Sequence, residues 1–178
     1  MTAPSFRFTR LGSVIALALL GIGAAVDPLP KGILRVDALP APPLELPDMD
    51  GEPHNLRDSA GRWRFVHFWA SWCGPCRREM PTIQRMSETL APDVFDIVMV
   101  NTAETEDEIF MFLSAVAPAL ETLMDTDGKV TGVWQPRGLP STFLVDPEGR
   151  IRYRALGGRP WDTPPYIRFL NKLAGGAD

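Results

Sequence analysis

Cys73 and Cys76 are the only cysteines in the 178-residue chain, and they stand three residues apart in Trp72-Cys73-Gly74-Pro75-Cys76. Two thiols at that spacing in the first turn of a helix share a face, so a disulfide can close between them and reopen. The first then sits at the helix N-terminus. Free amide N–H groups and the helix dipole there favour a thiolate, the attacking species in disulfide exchange. The second lies one turn further in and more buried, placed to attack a mixed disulfide on Cys73 and release the product. As a structural staple the pair is poor, because the loop it closes is too small to restrict the unfolded chain much. One bridge at most also excludes a multi-disulfide scaffold. A metal site built by this chain needs both cysteines to converge with His54 and His67, the only histidines, so no metal site and no cofactor are expected.

The flanking sequence supplies what such a pair requires. Arg64 to Ala70 (RFVHFWA) is aromatic, β-branched and almost continuously apolar, the composition of a strand buried on both faces. Pro75 to Leu90 reads as a helix, with Pro75 in the first turn and Met80, Ile83, Met86 and Leu90 at helical spacing. Pro81, inside it, predicts a kink. Further on, Val94–Asn101 is a strand, Glu106–Val116 a helix with an acidic first turn, and Leu123-Met124 a short strand. Thr142–Val145 and Ile151–Ala155 are strands joined by the turn Asp146-Pro147-Glu148-Gly149-Arg150, and Pro164 or Pro165 opens a last helix to Leu173. Before the cysteines, Leu44–Leu46 and a segment near His54–Leu56 form a short strand pair across Asp48-Met49-Asp50-Gly51. The pattern is α/β, with a mixed central sheet flanked by helices and an added N-terminal hairpin.

Length and composition fit one globular domain, 45% apolar and 22% charged. The net charge of −4 gives no excess of positive charge to attract nucleic acid. Arg7 and Arg10 precede an uncharged apolar run from Leu11 to Val26, ended by Asp27 and Pro28. Residues 1–26 therefore read as an export signal peptide or a short retained anchor in the inner membrane, with the remainder in the periplasm in either case. Seven prolines between Pro28 and Pro53 mark residues 27–43 as an extended spacer. Residues 44–173 are then the folded domain, and 174–178 a flexible tail.

The stretch WASWCGPCRREMP, with GLPSTFLVDPEGRI downstream, resembles the thioredoxin-fold disulfide reductases, most closely the exported or membrane-tethered TlpA/ResA/CcmG branch. The apolar N-terminus, the Pro-rich segment and the LPDMDG turn resemble that branch too, and the likeness covers roughly residues 40 to 173. It implies the thioredoxin fold, with Cys73 as nucleophile and Cys76 as resolving thiol. It makes Pro140 the cis-proline that, with Leu139, holds an extended substrate segment facing Trp72, Gly74 and Pro75. Glu79 matches an acidic residue near the active site of the branch, and position i+3 puts it on the helix face of Cys76, where it can accept or relay the resolving thiol's proton. The partners implied are disulfide-containing exported proteins, apocytochrome c before haem attachment among them, and a membrane thiol electron donor. Gly-Pro between the cysteines resembles reducing thioredoxins.

One position departs from thioredoxins proper, which carry a buried Asp six residues before the first cysteine. Here it is His67, read as a hydrogen-bonded core histidine, with tuning of the pair as the alternative. His54 is expected on the surface. Asp125 and Asp127-Gly128 resemble a calcium loop only faintly, and Arg150, Arg152 and Arg154 read as a solvent-facing stripe. The other functions compatible with this sequence are a thiol peroxidase of the same fold and a copper carrier using the cysteine pair.

Overall fold

A computed structural model describes residues 28–175, so the predicted signal or anchor and the end of the tail lie outside the described residues. The six-stranded sheet has the order β1(Ile33–Pro40)-β8(Arg150–Leu156)-β7(Ser141–Val145)-β4(Trp63–Trp69)-β5(Phe95–Thr102)-β6(Leu123–Asp125). β4, β5 and β6 run parallel; β7 runs antiparallel to β4, β8 to β7, and β1 to β8. β2(Glu45–Pro47) and β3(Pro53–Asn55) form a separate antiparallel hairpin, with an isolated bridge from Asp48 to Leu123 of β6. Among the described residues four α-helices complete the fold: α1(Gly74–Ser87), α2(Glu106–Val116), α3(Lys129–Trp134) and α4(Pro164–Leu173).

The alternation of side chains along β4 divides the core. Phe65 and Trp69 pack with Met80, Ile83 and Met86 of α1, Ile109 and Phe112 of α2, and Tyr166 and Leu170 of α4. Val66 and Phe68 point the other way, into a cluster with Leu44, Leu56, Trp134 and Phe143 under the hairpin and α3. Burying each such large side chain contributes about 1.5–3 kcal/mol, so both faces of β4 are held firmly. His67 has the parity of Phe65 and Trp69 and is buried on the α1 side.

Residues 33–40 are not a free spacer. They pair with β8 from Ile33↔Ala155 to Pro40↔Arg150, with a bulge between Arg35 and Leu39. Leu29 packs on the core, and the Tyr166 hydroxyl donates to the Lys31 carbonyl at 2.8 Å. The prolines bracket this run at 30 and 40, and an edge strand tolerates proline at its ends because one side of its ladder is unpaired. With β1 alongside, the β8 arginines are only partly a solvent stripe. Arg150 is exposed, but Arg152 pairs with Asp146 at 3.1 Å and Arg154 lies over the Phe143 ring at 4.8 Å.

Two buried polar side chains tie loops to this frame. Arg64 donates to the Ser59 carbonyl at 2.8 Å and the Asp146 carbonyl at 2.6 Å, and burial pushes its guanidinium below the usual range. Asp125 serves α3, a helix absent from the sequence expectation. Its carboxylate accepts from the amides of Val130 at 3.1 Å and Thr131 at 2.7 Å and from the Thr131 hydroxyl at 2.6 Å. That is helix capping rather than a calcium loop. Asp125→Ala is expected to lower unfolding free energy by about 1–3 kcal/mol, read as a reduced urea midpoint at unchanged slope. Arg64→Met leaves two carbonyls without their donor, and a loss of about 2–4 kcal/mol is expected in the same assay.

Candidate active site

β4 ends at Trp69 and four residues later the chain enters α1, so the cysteines stand where a buried strand becomes a helix. Cys73 is the N-cap of α1, and its Sγ accepts the Cys76 amide at 3.3 Å. The two are joined as a disulfide with Cα atoms 5.3 Å apart. Pro75 occupies the first turn, where its missing N–H costs nothing. Pro81 lies inside the helix. Cys73 retains 5% of its surface and Cys76 none, so an incoming group reaches Cys73 first.

The loop between strand and helix is held by a carboxylate the sequence reading did not single out. Glu104, buried after β5, accepts from the Ser71 amide at 2.6 Å, from the Ser71 hydroxyl, and from the Asn101 side-chain amide at 2.7 Å. Arg77 closes the same loop from α1: it donates to the Ser71 carbonyl at 3.1 Å and lies over the Phe112 ring at 4.7 Å. Trp72 projects outward from this held loop, 69% exposed. Polar residues between β5 and α2 were the only available sign of Glu104.

Across the sheet, β7 runs antiparallel to β4, so its beginning lies beside the end of β4. Ser141 pairs with Phe68. The Leu139–Pro140 peptide bond just before it is cis. Leu139 packs on the cluster that contains both cysteines, and the Pro140 carbonyl accepts the Gly157 amide at 2.8 Å. Trp72, Gly74 and Pro75 on one element and Leu139 and Pro140 on another thus come to the same end of the sheet.

Glu79 lies beneath this surface, 3% exposed on α1. Its Oε2 accepts the Arg159 amide at 2.8 Å and the Trp161 indole Nε1–H at 3.2 Å. Its Oε1 stands 3.2 Å from His67 Nε2, and His67 Nδ1 is 2.9 Å from the Thr142 hydroxyl. The loop supplying Arg159 and Trp161 lies against α1: a Cβ on Gly158 would be 3.2 Å from the Pro75 carbonyl oxygen and 3.7 Å from Glu79 Oε2. A larger residue there would push the loop off the helix. Between them is an open cleft of about 360 Å³, lined by Pro75, Arg78, Glu79, Thr82, Gly158, Arg159 and Pro160. Sequence reasoning missed Gly158, Arg159 and Trp161, because a contact across some eighty residues leaves no local pattern. His54 lies in the hairpin, exposed, 2.8 Å from Asp48, far in sequence and element from this site. Its hydrogen bond holds the Asp48 carboxyl below the usual carboxylate range. Among the described residues no cluster of three or more metal-ligating side chains occurs.

The AhpC/TSA family profile matches residues 38–154. The thiol-disulfide oxidoreductase ResA of Bacillus subtilis is 32% identical over 111 residues, 62% of this chain and 62% of ResA. The match thus spans less than two thirds of that relative's length. The thiol:disulfide interchange protein DsbE of Allochromatium vinosum is 36% identical over 151 residues, 83% of this chain and 81% of DsbE. A solved structure described as a DsbE from Chlorobium tepidum superposes with a TM-score of 0.71 at 28% identity, covering 80% of this chain and all of that one. With a buried strand delivering a Cys-Gly-Pro-Cys disulfide into the first turn of a helix, and relatives alike in sequence and fold, the chain belongs to the thioredoxin-fold AhpC/TSA family and is a homologue of ResA and DsbE.

Proposed function

We propose that the protein is a thiol-disulfide oxidoreductase that reduces disulfides in exported proteins. The observation that carries the reading is the unequal Cys73–Cys76 pair at the start of α1, with one sulfur at the surface and the other enclosed. In the dithiol form Cys73 attacks as thiolate, favoured by the amides and dipole of the first turn. One client sulfur bonds to Cys73 and the other leaves. Cys76 then gives up its proton, bonds to Cys73, and expels the second client sulfur, so two electrons pass to the client. Glu79, three residues along the same helix face, accepts that proton. Leu139 and Pro140 hold the client segment in extended form against Trp72, Gly74 and Pro75.

The same reading places the domain in the periplasm, with residues 1–26 as its signal or inner-membrane anchor. An oxidising compartment does not restore the dithiol, so a membrane thiol donor re-reduces the pair. The relatives' names add thiol:disulfide interchange as the shared activity, and apocytochrome c is the first client to test.

Cys76→Ser is expected to accumulate a mixed disulfide between Cys73 and a client peptide, visible as a mass adduct. Cys73→Ser should form none and lose disulfide reduction by at least about 100-fold. The midpoint potential of the purified chain, read by thiol trapping in dithiothreitol or glutathione buffers, is expected near thioredoxin's, about −270 mV. A value near that of the oxidant DsbA, about −120 mV, overturns the reducing direction. Peroxide turnover without a disulfide client, or stoichiometric copper on the purified protein, overturns the reductase reading itself.

A further inference from the structure

His67 is wholly enclosed, and its Nε2 faces a carboxylate on the helix that carries both cysteines. We propose that His67 is the positioning residue of the resolving step, and that its Nε2 and Glu79 Oε1 hold between them the proton released by Cys76. This rests on the disulfide-exchange reading above and deepens it.

The hydrogen-bond inventory restricts where a proton can sit. Glu79 Oε2 already faces two N–H groups that can only donate, those of Arg159 and Trp161. A proton on the carboxyl therefore belongs on Oε1, and the polar atom facing Oε1 is His67 Nε2, 3.2 Å away. Yet in the disulfide form neither atom has a partner in hydrogen-bonding alignment, although both are buried. A buried polar atom left so is costly, because it has lost water without gaining a partner. In the disulfide form the two atoms thus face each other at 3.2 Å without an aligned hydrogen bond between them.

The other side of the ring accommodates the pair both with and without that proton. His67 Nδ1 meets the Thr142 hydroxyl, which can donate or accept. With Nδ1–H donating to Thr142, Nε2 accepts from a Glu79 carboxylic acid. With Thr142 donating to Nδ1, Nε2–H donates to the Glu79 carboxylate. The first arrangement carries one proton more than the second, so uptake of the Cys76 proton converts the second into the first as the Thr142 hydroxyl turns from donor to acceptor. The other packed elements offer little competition. Cys76 is the remaining titratable group on this face of α1, β5 presents Met99 opposite His67, and Phe65 stacks on the ring. The Arg159 guanidinium is turned back onto the Leu156 and Gly158 carbonyls, and Arg78 lines the outer cleft.

The step balances as follows. The Cys76 S–H bond breaks and its proton goes to the Glu79–His67 pair. The Cys76 sulfur bonds to Cys73 as the Cys73–client bond breaks, and the client thiolate leaves with the electron pair. The stored proton then passes to the client thiolate or to water in the cleft beside Glu79.

The test uses the full chain. Reduced protein is mixed with dithionitrobenzoate, and release of the second thionitrobenzoate reports resolution by Cys76. His67→Gln, which keeps a polar side chain but cannot ionise, is expected to slow that second release about tenfold and to displace its pH profile. Glu79→Gln should do the same, and the double variant should be no slower than either single one. A second release from His67→Gln with the rate and pH profile of the parent overturns the proposal and leaves a packing histidine. Should that variant fail to fold, nitrogen-15 NMR of the parent protein decides. The His67 ring signals should differ between disulfide and dithiol forms, with His54 as internal reference; signals unchanged between the two forms overturn the proposal. These failures leave the reductase reading standing; in the same assay that reading falls if the parent releases no second thionitrobenzoate or if Cys73→Ser keeps activity.

Discussion

The proposed exchange, in which one sulfur attacks, waits as a mixed disulfide and is displaced again, needs a partner sulfur that does not wander. The segment from Trp69 to Cys76 supplies this, and every other element of the site is arranged around it. A loop between a strand and a helix is ordinarily mobile. This one is fixed at both ends and in the middle: β4 is packed on both faces, Cys73 caps α1, and Glu104 and Arg77 grip Ser71 between them. The grip is charged and partly buried, which makes each hydrogen bond worth more than a neutral one at the surface. Reactive geometry here comes from holding four residues still, at the cost of enclosing a carboxylate in Glu104.

Glu79 is another enclosed carboxylate, and its surroundings explain much of the late sequence. A carboxylate out of water requires donors. Two of them come from the loop between β8 and α4, which can deliver an amide and an indole N–H only by lying against the first turn of α1. Gly158 allows that approach. Trp161 does double duty: its ring stacks edge-on with Phe65 at 4.7 Å and with Tyr166 at 5.3 Å, while its nitrogen serves the carboxylate. The core and the site are therefore the same object on this side of the sheet.

Legibility followed the range of the interactions. Strand and helix around the cysteines were readable because RFVHFWA and the Met80, Ile83, Met86 spacing are local patterns. Glu79 shared a face with Cys76 by helical arithmetic. His67 was read as a hydrogen-bonded core histidine, and it is buried and bonded to Thr142, yet nothing local said that a carboxylate would be opposite. α3 was missed because six residues with no apolar period give little signal, and its cap lies outside it at Asp125. β1 was misread because the proline count over its neighbourhood outweighed the proline-free run inside it; pairing with β8, more than a hundred residues on, decided the matter.

The surface above the disulfide sets terms for whatever reaches it. Cys73 is nearly covered, so a folded client with its own disulfide recessed cannot bring two sulfurs together here. Trp72 on one side and Leu156 on the other are large apolar side chains left in water at this end of the sheet, with Leu139 and Pro140 between β7 and the cysteines. Apolar side chains beside a nearly buried reactive atom favour a chain that lies flat and extended, with apolar residues next to its cysteine. An unfolded or not yet folded segment meets that requirement readily, since its backbone is free to pair and its disulfide is reachable. A compact protein would first have to open. For the proposed disulfide exchange, this geometry selects for conformational state before sequence.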